Sequence, residues 1–335
     1  MKRLKFIDGL RGIAACMVMF YHLGNRTGLK PLTQWGYLGV GIFFVISGFV
    51  IASTLDRELS AAAIGRFFAR RFVRLDIPYW VNITVTLVLG AALYRFGGPI
   101  HRYTGEQVAV HLVYLQDILG VPEINQVYWT LCLEIQFYLT LAFALWVAQR
   151  VSWRVFQGAL VASIALSTLC NAGLLHSPRG LMFPYWWAFG LGAAICFWYR
   201  ARMNGAALFA AFAAVSFLPF VSLEAWRITG ALTGLAITGA LYMKSESKWL
   251  SGNSWQFLGR ISYSLYLYHA LIGWEAQTFA LRYMGTYTAA AFGIAVSIGV
   301  AWLAYVLIER PAVRLSHLVP LSPAQRGLST ASSAT

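Results

Sequence analysis

Apolar residues occur along this chain in stretches of about twenty residues, which short polar segments separate. A helix of about twenty residues is long enough to cross the hydrocarbon core of a bilayer. The pattern predicts ten such spans, at roughly residues 8–24, 36–54, 77–96, 127–148, 155–175, 181–199, 205–222, 227–243, 260–281 and 286–308. Because only helices and closed barrels satisfy every backbone hydrogen bond inside lipid, we expect an all-α fold, a polytopic transmembrane helical bundle.

The composition agrees with this pattern. Charged residues make up 11% and hydrophobic residues 59% of the 335 positions. A typical soluble protein has about 25% charged residues, so we expect a lipid bilayer around the bundle. The apolar pattern predicts one transmembrane domain at residues 1–315. Residues 316–335 are rich in Ser, Thr and Ala, and we expect them to form a disordered cytoplasmic tail.

The positions of the basic residues predict the orientation of the spans. When the spans alternate in direction, 19 of the 26 lysines and arginines fall on the side that holds the N-terminus. Basic residues concentrate in cytoplasmic loops, so we predict cytoplasmic termini and a location in the inner membrane. The net charge of +14 then reflects topology, and we expect no nucleic acid partner. The four cysteines lack disulfide or zinc spacing, and we predict no metal site.

The first span carries two ionisable residues, Arg11 and His22. Eleven helical steps return to within about 20° of the starting direction after a rise of roughly 16 Å, so both side chains face the same way. Ionisable groups at membrane depth usually face a bundle interior or a wet cavity. A neutral imidazole can accept a proton from an attacking hydroxyl, so His22 is a candidate general base. The alternatives are a structural, hydrogen-bonded His22 and an Arg11 that only anchors the helix at the cytoplasm.

The fourth span presents Thr130, Glu134 and Tyr138 on one helical face. Glu134 is the only carboxylate of this span. A carboxylate in hydrocarbon needs a partner to stay charged, so we expect it to meet a cation or a histidine. Three interpretations follow: a structural ion pair, a group that orients His22 and stabilises its charge, or a base in its own right.

Arginines precede the third span at Arg70, Arg71 and Arg74. Topology and anionic lipid headgroups explain such a run. The other explanation is a phosphate cradle, because guanidinium groups bind phosphate through two hydrogen bonds at once. Arg70 and Arg74 are one helical turn apart and are predicted to act together, with Arg71 pointing about one residue step away.

Two further segments are unusual. Residues 258–269 hold Tyr266 and His269 one turn apart, among other Tyr and Ser residues, which indicates the lining of a polar cavity or an aromatic belt at the membrane surface. Residues 36–49 are rich in glycine, which favours close approach of helices. Ser47 lies in this segment without the surroundings of a nucleophile elbow, so we do not predict that it is a nucleophile.

Together, and in this order, these segments resemble the acyltransferase-three family of integral-membrane O-acyltransferases, which modify sugars and other hydroxylated acceptors. The matching motifs span about residues 5 to 315 and are Arg11 with His22, Phe43–Phe49, Arg70-Arg71-x-x-Arg74, Trp129–Leu131 with Glu134 and Phe137-Tyr138, Ser262–His269, and Glu309-Arg310-Pro311. Longer members of the family add an extracytoplasmic hydrolase-like domain. This chain has a short tail instead and resembles the stand-alone form.

The resemblance implies a cytoplasmic acyl-CoA donor, commonly acetyl-CoA, and no permanently bound cofactor. It implies an acceptor hydroxyl on a cell-surface or exported carbohydrate or glycolipid. The arginine run would then hold the phosphates of CoA, with Arg11 further along the pore. His22 would deprotonate the acceptor or carry the acyl group transiently, and Glu134 would support its charge. The predicted substrate-binding residues are Trp129, Tyr138, Tyr266 and His269.

Two other functions remain open from the residues alone. Intramembrane Arg, His and Glu are also what a proton-coupled transporter of a small or glycan-type solute needs. The arginine run beside Pro78 favours the enzyme, since a transporter does not require it. The last alternative is a purely structural or lipid-organising bundle, in which substitution of His22 would have no effect on activity.

Overall fold

The computed structural model describes residues 4–25, 28–55, 60–95, 103–216, 225–245 and 247–319. These residues are mainly helical and form no strand. Their α-helices are α1 (Lys5–Gly24), α2 (Lys30–Thr33), α3 (Gly39–Leu55), α4 (Ala61–Arg71), α5 (Ile77–Arg95), α6 (Gly105–Leu112), α7 (Gln116–Leu119), α8 (Trp129–Ala148), α9 (Trp153–Asn171), α10 (Trp186–Tyr199), α11 (Gly205–Ser216), α12 (Ala225–Tyr242), α13 (Asn253–Tyr268), α14 (Trp274–Ala280), α15 (Thr286–Ala304) and α16 (Arg310–His317).

The all-α, polytopic membrane architecture predicted from the sequence is confirmed. Each of the ten predicted spans coincides with a helix, although residues 217–222 of the seventh lie outside the described part of the chain. Six helical stretches are long and apolar enough to cross a membrane, namely Lys5–Gly24, Lys30–Leu55, Ala61–Leu93, Trp129–Ala148, Trp153–Asn171 and Thr286–His317. The count of ten spans and the cytoplasmic termini stay predictions.

The C-terminal boundary falls close to the predicted one. Helix α16 continues to His317, two residues beyond the predicted end of the domain at residue 315. Most of the predicted tail, residues 320–335, lies outside the described residues. The single-domain division therefore stays a prediction.

Helices α1 and α13 lie side by side and run in the same direction. Near their N-terminal ends, a Cβ added to Gly12 would lie 2.8 Å from the Gly259 nitrogen, so the two backbones are in direct contact. Near their C-terminal ends, the rings of His22 and His269 have centroids 5.3 Å apart. Glycine at the crossing thus brings together two histidines that are far apart in the sequence.

Helices α3 and α10 also pack through glycine. A Cβ on Gly48 would collide with the carbonyl oxygen of Phe189, and a Cβ on Gly192 would collide with that of Val45. Small residues allow the backbones of membrane helices to approach this closely. The close approach predicted for the glycine-rich segment is therefore confirmed at Gly48.

Three π-helical segments interrupt the long helices, at Phe72–Asp76, His269–Gly273 and Tyr305–Glu309. Each continues directly from an α-helix into another. Such segments are frequent at functional sites because the wider turn changes the direction of the following side chains. Here they hold Arg74, His269 and Glu309.

Gly48→Val is expected to destabilise the bundle, because its side chain would force α3 away from the Phe189 carbonyl. Overpacking of this kind costs about 1–3 kcal/mol. The measurement is the melting temperature of purified protein in detergent. Gly299→Val is the control, since a Cβ at Gly299 meets nothing within 4 Å. Equal melting temperatures for the two variants would contradict the close packing of α3 and α10.

Candidate active site

A cavity lies between α1, α3, α8, α13 and the segment around Arg74. Ligand sites commonly combine an apolar wall with a few convergent polar groups. The polar and charged side chains on this wall are Arg11, Ser47, Arg71, Arg74, Thr130, Glu134, Tyr263 and Tyr266. The apolar part of the wall comes mainly from α3, including Val40, Phe43 and Phe44.

One end of the cavity is cationic. Arg11, Arg71 and Arg74 line it together, with Glu134 as the only carboxylate on the wall. The side chains of Arg71 and Glu134 are only 16% and 18% exposed. Positive charge therefore exceeds negative charge in a region of low solvent access, where electrostatic attraction of an anion is stronger than in water.

Glu134 is bound to the cation that we expected it to need. Its carboxylate accepts a hydrogen bond from the Ser47 hydroxyl at 2.8 Å and lies 3.6 Å from Nη2 of Arg71. The same guanidinium lies 4.5 Å from the centre of the Tyr138 ring and donates a hydrogen bond to its hydroxyl. Glu134 thus faces Arg71, and no direct contact joins it to His22 among the described residues.

The arginines of the predicted phosphate cradle are arranged differently from the arrangement that their helical spacing predicted. Arg70 lies outside the cavity, where its Nε donates hydrogen bonds to the carbonyl oxygens of Ser316 at 3.1 Å and Val319 at 2.6 Å. It therefore stabilises the end of α16, whose last carbonyls lack partners in the helix. Arg71 and Arg74 share the cavity, whereas the hydrogen bonds of Arg70 to the end of α16 hold its guanidinium outside it.

Glu309 lies buried behind this cationic end. Its carboxylate accepts hydrogen bonds from the hydroxyl of Ser264 at 2.6 Å and from the backbone nitrogen of Ser264 at 3.3 Å. Its charge also interacts with Arg11 and Arg74. Glu309 is thus a second buried carboxylate, and its negative charge stabilises the nearby arginines. In the sequence, Glu309 stands out only as part of a motif, with no signal for its role.

Tyr266 and Phe43 also line the cavity and contact each other. The Tyr266 hydroxyl lies 2.7 Å from Oγ1 of Thr130, and its ring meets that of Phe43 edge to face with centroids 5.5 Å apart. Tyr266 therefore lies on the cavity wall, and its role in substrate binding stays a prediction. His269 lies next, with its ring centroid 6.0 Å from that of Tyr266.

His22 and His269 form a pair next to Tyr266. His22 is half-buried, and its ring is tilted by 43° to that of His269. Neither is on the cavity wall. Nδ1 of His269 lies 2.9 Å from the carbonyl oxygen of Leu265. A carbonyl only accepts, so Nδ1 carries the proton and Nε2 is an acceptor. This Nε2 is buried and has no hydrogen-bond partner among the described residues.

The remaining predicted residues lie around the cavity. Tyr138 is fully buried behind Arg71, and Trp129 packs against Phe44 and Tyr185 with ring centroids 6.3 and 5.5 Å away. Sequence reasoning missed Ser47, because only the distance to Glu134 gives it a role. It also missed Tyr263, which lines the cavity although the polar segment around it was noticed.

Comparisons with known proteins agree with the motifs. The sequence model of the acyltransferase-three family, described as an acyltransferase domain, matches residues 4–306. Nodulation protein 10 of Rhizobium leguminosarum bv. viciae is 29% identical over 92% of this chain and 93% of its own length. The exopolysaccharide production protein ExoZ of Rhizobium meliloti is 29% identical over 88% of this chain and 95% of its own length.

A longer relative is similar over part of its length. The peptidoglycan O-acetyltransferase OatA of Listeria monocytogenes is 26% identical over 80% of this chain, and the match covers 49% of OatA. No solved structure matches the chain significantly. The family match extends over nearly the whole helical bundle, including both the cationic cavity and the histidine pair. The chain therefore belongs to the acyltransferase-three family of integral-membrane O-acyltransferases.

Proposed function

We propose that this protein moves an acetyl group from acetyl-CoA to a hydroxyl of a cell-surface or exported carbohydrate. One observation carries the proposal: three arginines line a cavity whose wall also holds Tyr266, and the Tyr266 ring lies next to the His22–His269 pair. The carbohydrate acceptor is supported by the relatives, which include a peptidoglycan O-acetyltransferase and an exopolysaccharide production protein.

The cationic end suits the phosphates of CoA. Arg11, Arg71 and Arg74 come from two different helical stretches and converge on one volume. Guanidinium groups bind phosphate oxygens through pairs of charge-assisted hydrogen bonds. Most basic residues fall on the side of the termini, which supports a cytoplasmic position for that side. The donor would then enter the cavity from the cytoplasmic face of the inner membrane. Arg70 has no place in this donor site, because its hydrogen bonds hold α16.

The long thiol arm of CoA would lie along the less charged part of the cavity. Its wall there combines apolar side chains of α3 with the hydroxyls of Thr130 and Tyr266. Such a surface suits a chain that alternates methylene groups with amides. The thioester would reach the Tyr266 end and meet the histidine pair there, after Tyr266 and Phe43 move apart.

His22 would act as the general base of a direct transfer. Its imidazole takes the proton of the acceptor hydroxyl while that oxygen attacks the thioester carbonyl. The carbon–sulfur bond breaks, the new ester forms, and the CoA sulfur leaves with a proton returned by the imidazole. His22 suits this role because it forms no hydrogen bond among the described residues, so its nitrogens remain available to a substrate.

His269 would position His22 and would not bind substrate, which differs from the role expected from the sequence. Its Nε2 is an acceptor without a partner and lies in a ring that meets His22. A hydrogen bond donated by one nitrogen of His22 would satisfy this acceptor and leave the other nitrogen of His22 free as the base. Buried acceptors are rarely left unpaired, which supports this tautomer during the reaction.

The contacts of Glu134 also support a role different from the one expected from the sequence. The carboxylate was expected from the sequence to support His22, but its contacts are with Ser47 and Arg71. We assign to it the placement of the Arg71 guanidinium toward the donor. The proton-coupled transporter remains the second candidate, since buried Arg, His and Glu residues serve that function too.

His22→Ala is expected to reduce acetyl transfer by about 10²–10⁴-fold, the usual effect of losing a general base. The assay measures transfer of radiolabelled acetyl from acetyl-CoA to glycan in membranes that hold equal amounts of each variant. Binding of acetyl-CoA should persist because His22 lies outside the cavity. Full activity of this variant would support a purely structural bundle.

Arg71→Gln and Arg74→Gln are each expected to raise the KM for acetyl-CoA by about 10- to 100-fold, because each removes a charged hydrogen-bond donor worth about 1.5–3 kcal/mol. Arg70→Gln is the matched control from the same helical turn, and its KM should stay unchanged. A higher KM for acetyl-CoA in Arg70→Gln, with an unchanged KM in Arg71→Gln and Arg74→Gln, would contradict the donor site. A wild-type protein that binds no acetyl-CoA at millimolar concentration would favour the transporter.

His269→Leu is expected to lower kcat by about tenfold or more with little change in either KM, since the substrate contacts remain while His22 loses its acceptor. His269→Gln should recover most of kcat, because the amide oxygen can replace Nε2 as an acceptor. Steady-state kinetics of the two variants beside the wild type test this. Equal losses in both variants, or a rise in the acceptor KM alone, would remove the positioning role.

A further inference from the structure

Six aromatic rings form a continuous cluster beyond the histidine pair, which we name the aromatic vestibule. Its members are Tyr21, Trp35, Tyr37, Trp129, Tyr185 and Trp226. Tyr37 has ring centroids within 5.7 Å of Tyr21, 6.4 Å of Trp35 and 5.8 Å of Trp226. Tyr185 continues the series, at 6.0 Å from Trp226 and 5.5 Å from Trp129. Five separate parts of the chain thus converge on one aromatic surface.

The rings of the vestibule are accessible, unlike the aromatic residues of the core. Trp35 is 54% exposed and the other five rings are half-buried. By contrast, Trp187, Tyr128 and Phe137 have no exposed surface. A connected set of partly open rings leaves ring faces and edges available to a ligand.

The vestibule is continuous with both parts of the proposed active site. Tyr21 meets His22 edge to face, with centroids 5.1 Å apart. Phe44 lines the cavity and also lies 5.8 Å from Tyr185 and 6.5 Å from Trp226. A molecule held on these rings would therefore lie beside His22 and next to the cavity.

The chemistry of the vestibule differs from that of the cavity. The cavity presents three guanidinium groups, whereas no member of the vestibule is charged. Aromatic rings have a negative face that attracts weakly positive C–H groups, and tyrosine and tryptophan add a hydroxyl or an N–H as a polar contact. A pyranose ring offers an apolar face of C–H groups with hydroxyls around its edge, which matches this surface.

We propose that the aromatic vestibule binds pyranose rings of the oligosaccharide acceptor and presents one of their hydroxyls to His22. The proposal rests on the proposed acetyl transfer and assigns the second substrate to a site of its own. Aromatic residues also form belts at membrane surfaces, but belt residues need not contact each other or a catalytic group. These rings do both.

Trp35→Ala and Trp226→Ala test the vestibule, with Trp302→Ala as the control. Trp302 is 50% exposed and Trp35 54%, so the control removes a similar ring from a surface outside the vestibule. The acceptor is the oligosaccharide pool released from cells in which the gene is deleted, and the donor is radiolabelled acetyl-CoA. Each vestibule variant should raise the acceptor KM about three- to tenfold, as expected for loss of an aromatic contact. The donor KM should not change.

The outcomes separate the two proposals. If the wild type transfers no acetyl group to this pool, the proposed function fails and the vestibule with it. If the wild type is active but Trp35→Ala and Trp226→Ala have the same acceptor KM as Trp302→Ala, the vestibule proposal alone is overturned. Reduced melting temperatures of Trp35→Ala and Trp226→Ala would in that case identify the rings as a membrane belt. Trp35 decides the case if Trp226→Ala folds poorly, because its exposed ring contributes little packing.

Discussion

The Arg71 guanidinium lies between the carboxylate of Glu134 and the ring of Tyr138, and this contact positions the cationic end of the cavity. An unpaired buried cation would be costly, so the carboxylate and the aromatic face are what make a guanidinium tolerable at this depth. Ser47 holds the carboxylate from α3. Three helical stretches therefore meet at one charged contact, and the cationic part of the cavity lies where they meet.

Much of the fold was predictable, because lipid leaves a chain few choices. Apolar stretches of about twenty residues must become helices in a bilayer, and every predicted span coincides with one. Glycine spacing also predicted close packing, which Gly48 shows against the Phe189 carbonyl. The π-helical segments were not predictable, since a regular 3.6-residue period contains no signal for a wider turn.

The sequence predicted which residues line the candidate site better than it predicted which of them contact each other. Arg11, Arg71, Arg74, Glu134 and Tyr266 were all singled out and all line the cavity. The partners were harder to assign, because helix-by-helix spacing cannot say which faces meet. Glu134 faces Arg71 instead of His22, and Arg70 bonds a carbonyl at the end of α16, which lies far away in the sequence.

The contact of Tyr266 with Phe43 has a consequence for the energy supply of the cell. A continuous wet pore lined by arginines would conduct anions and short-circuit the ion gradients across the membrane. Tyr266 and Phe43 place two large contacting rings on the cavity wall, and Tyr266 is also the ring next to His269. Bulky rings at this place oppose a continuous column of water, so a bundle that holds charged and titratable groups need not conduct ions.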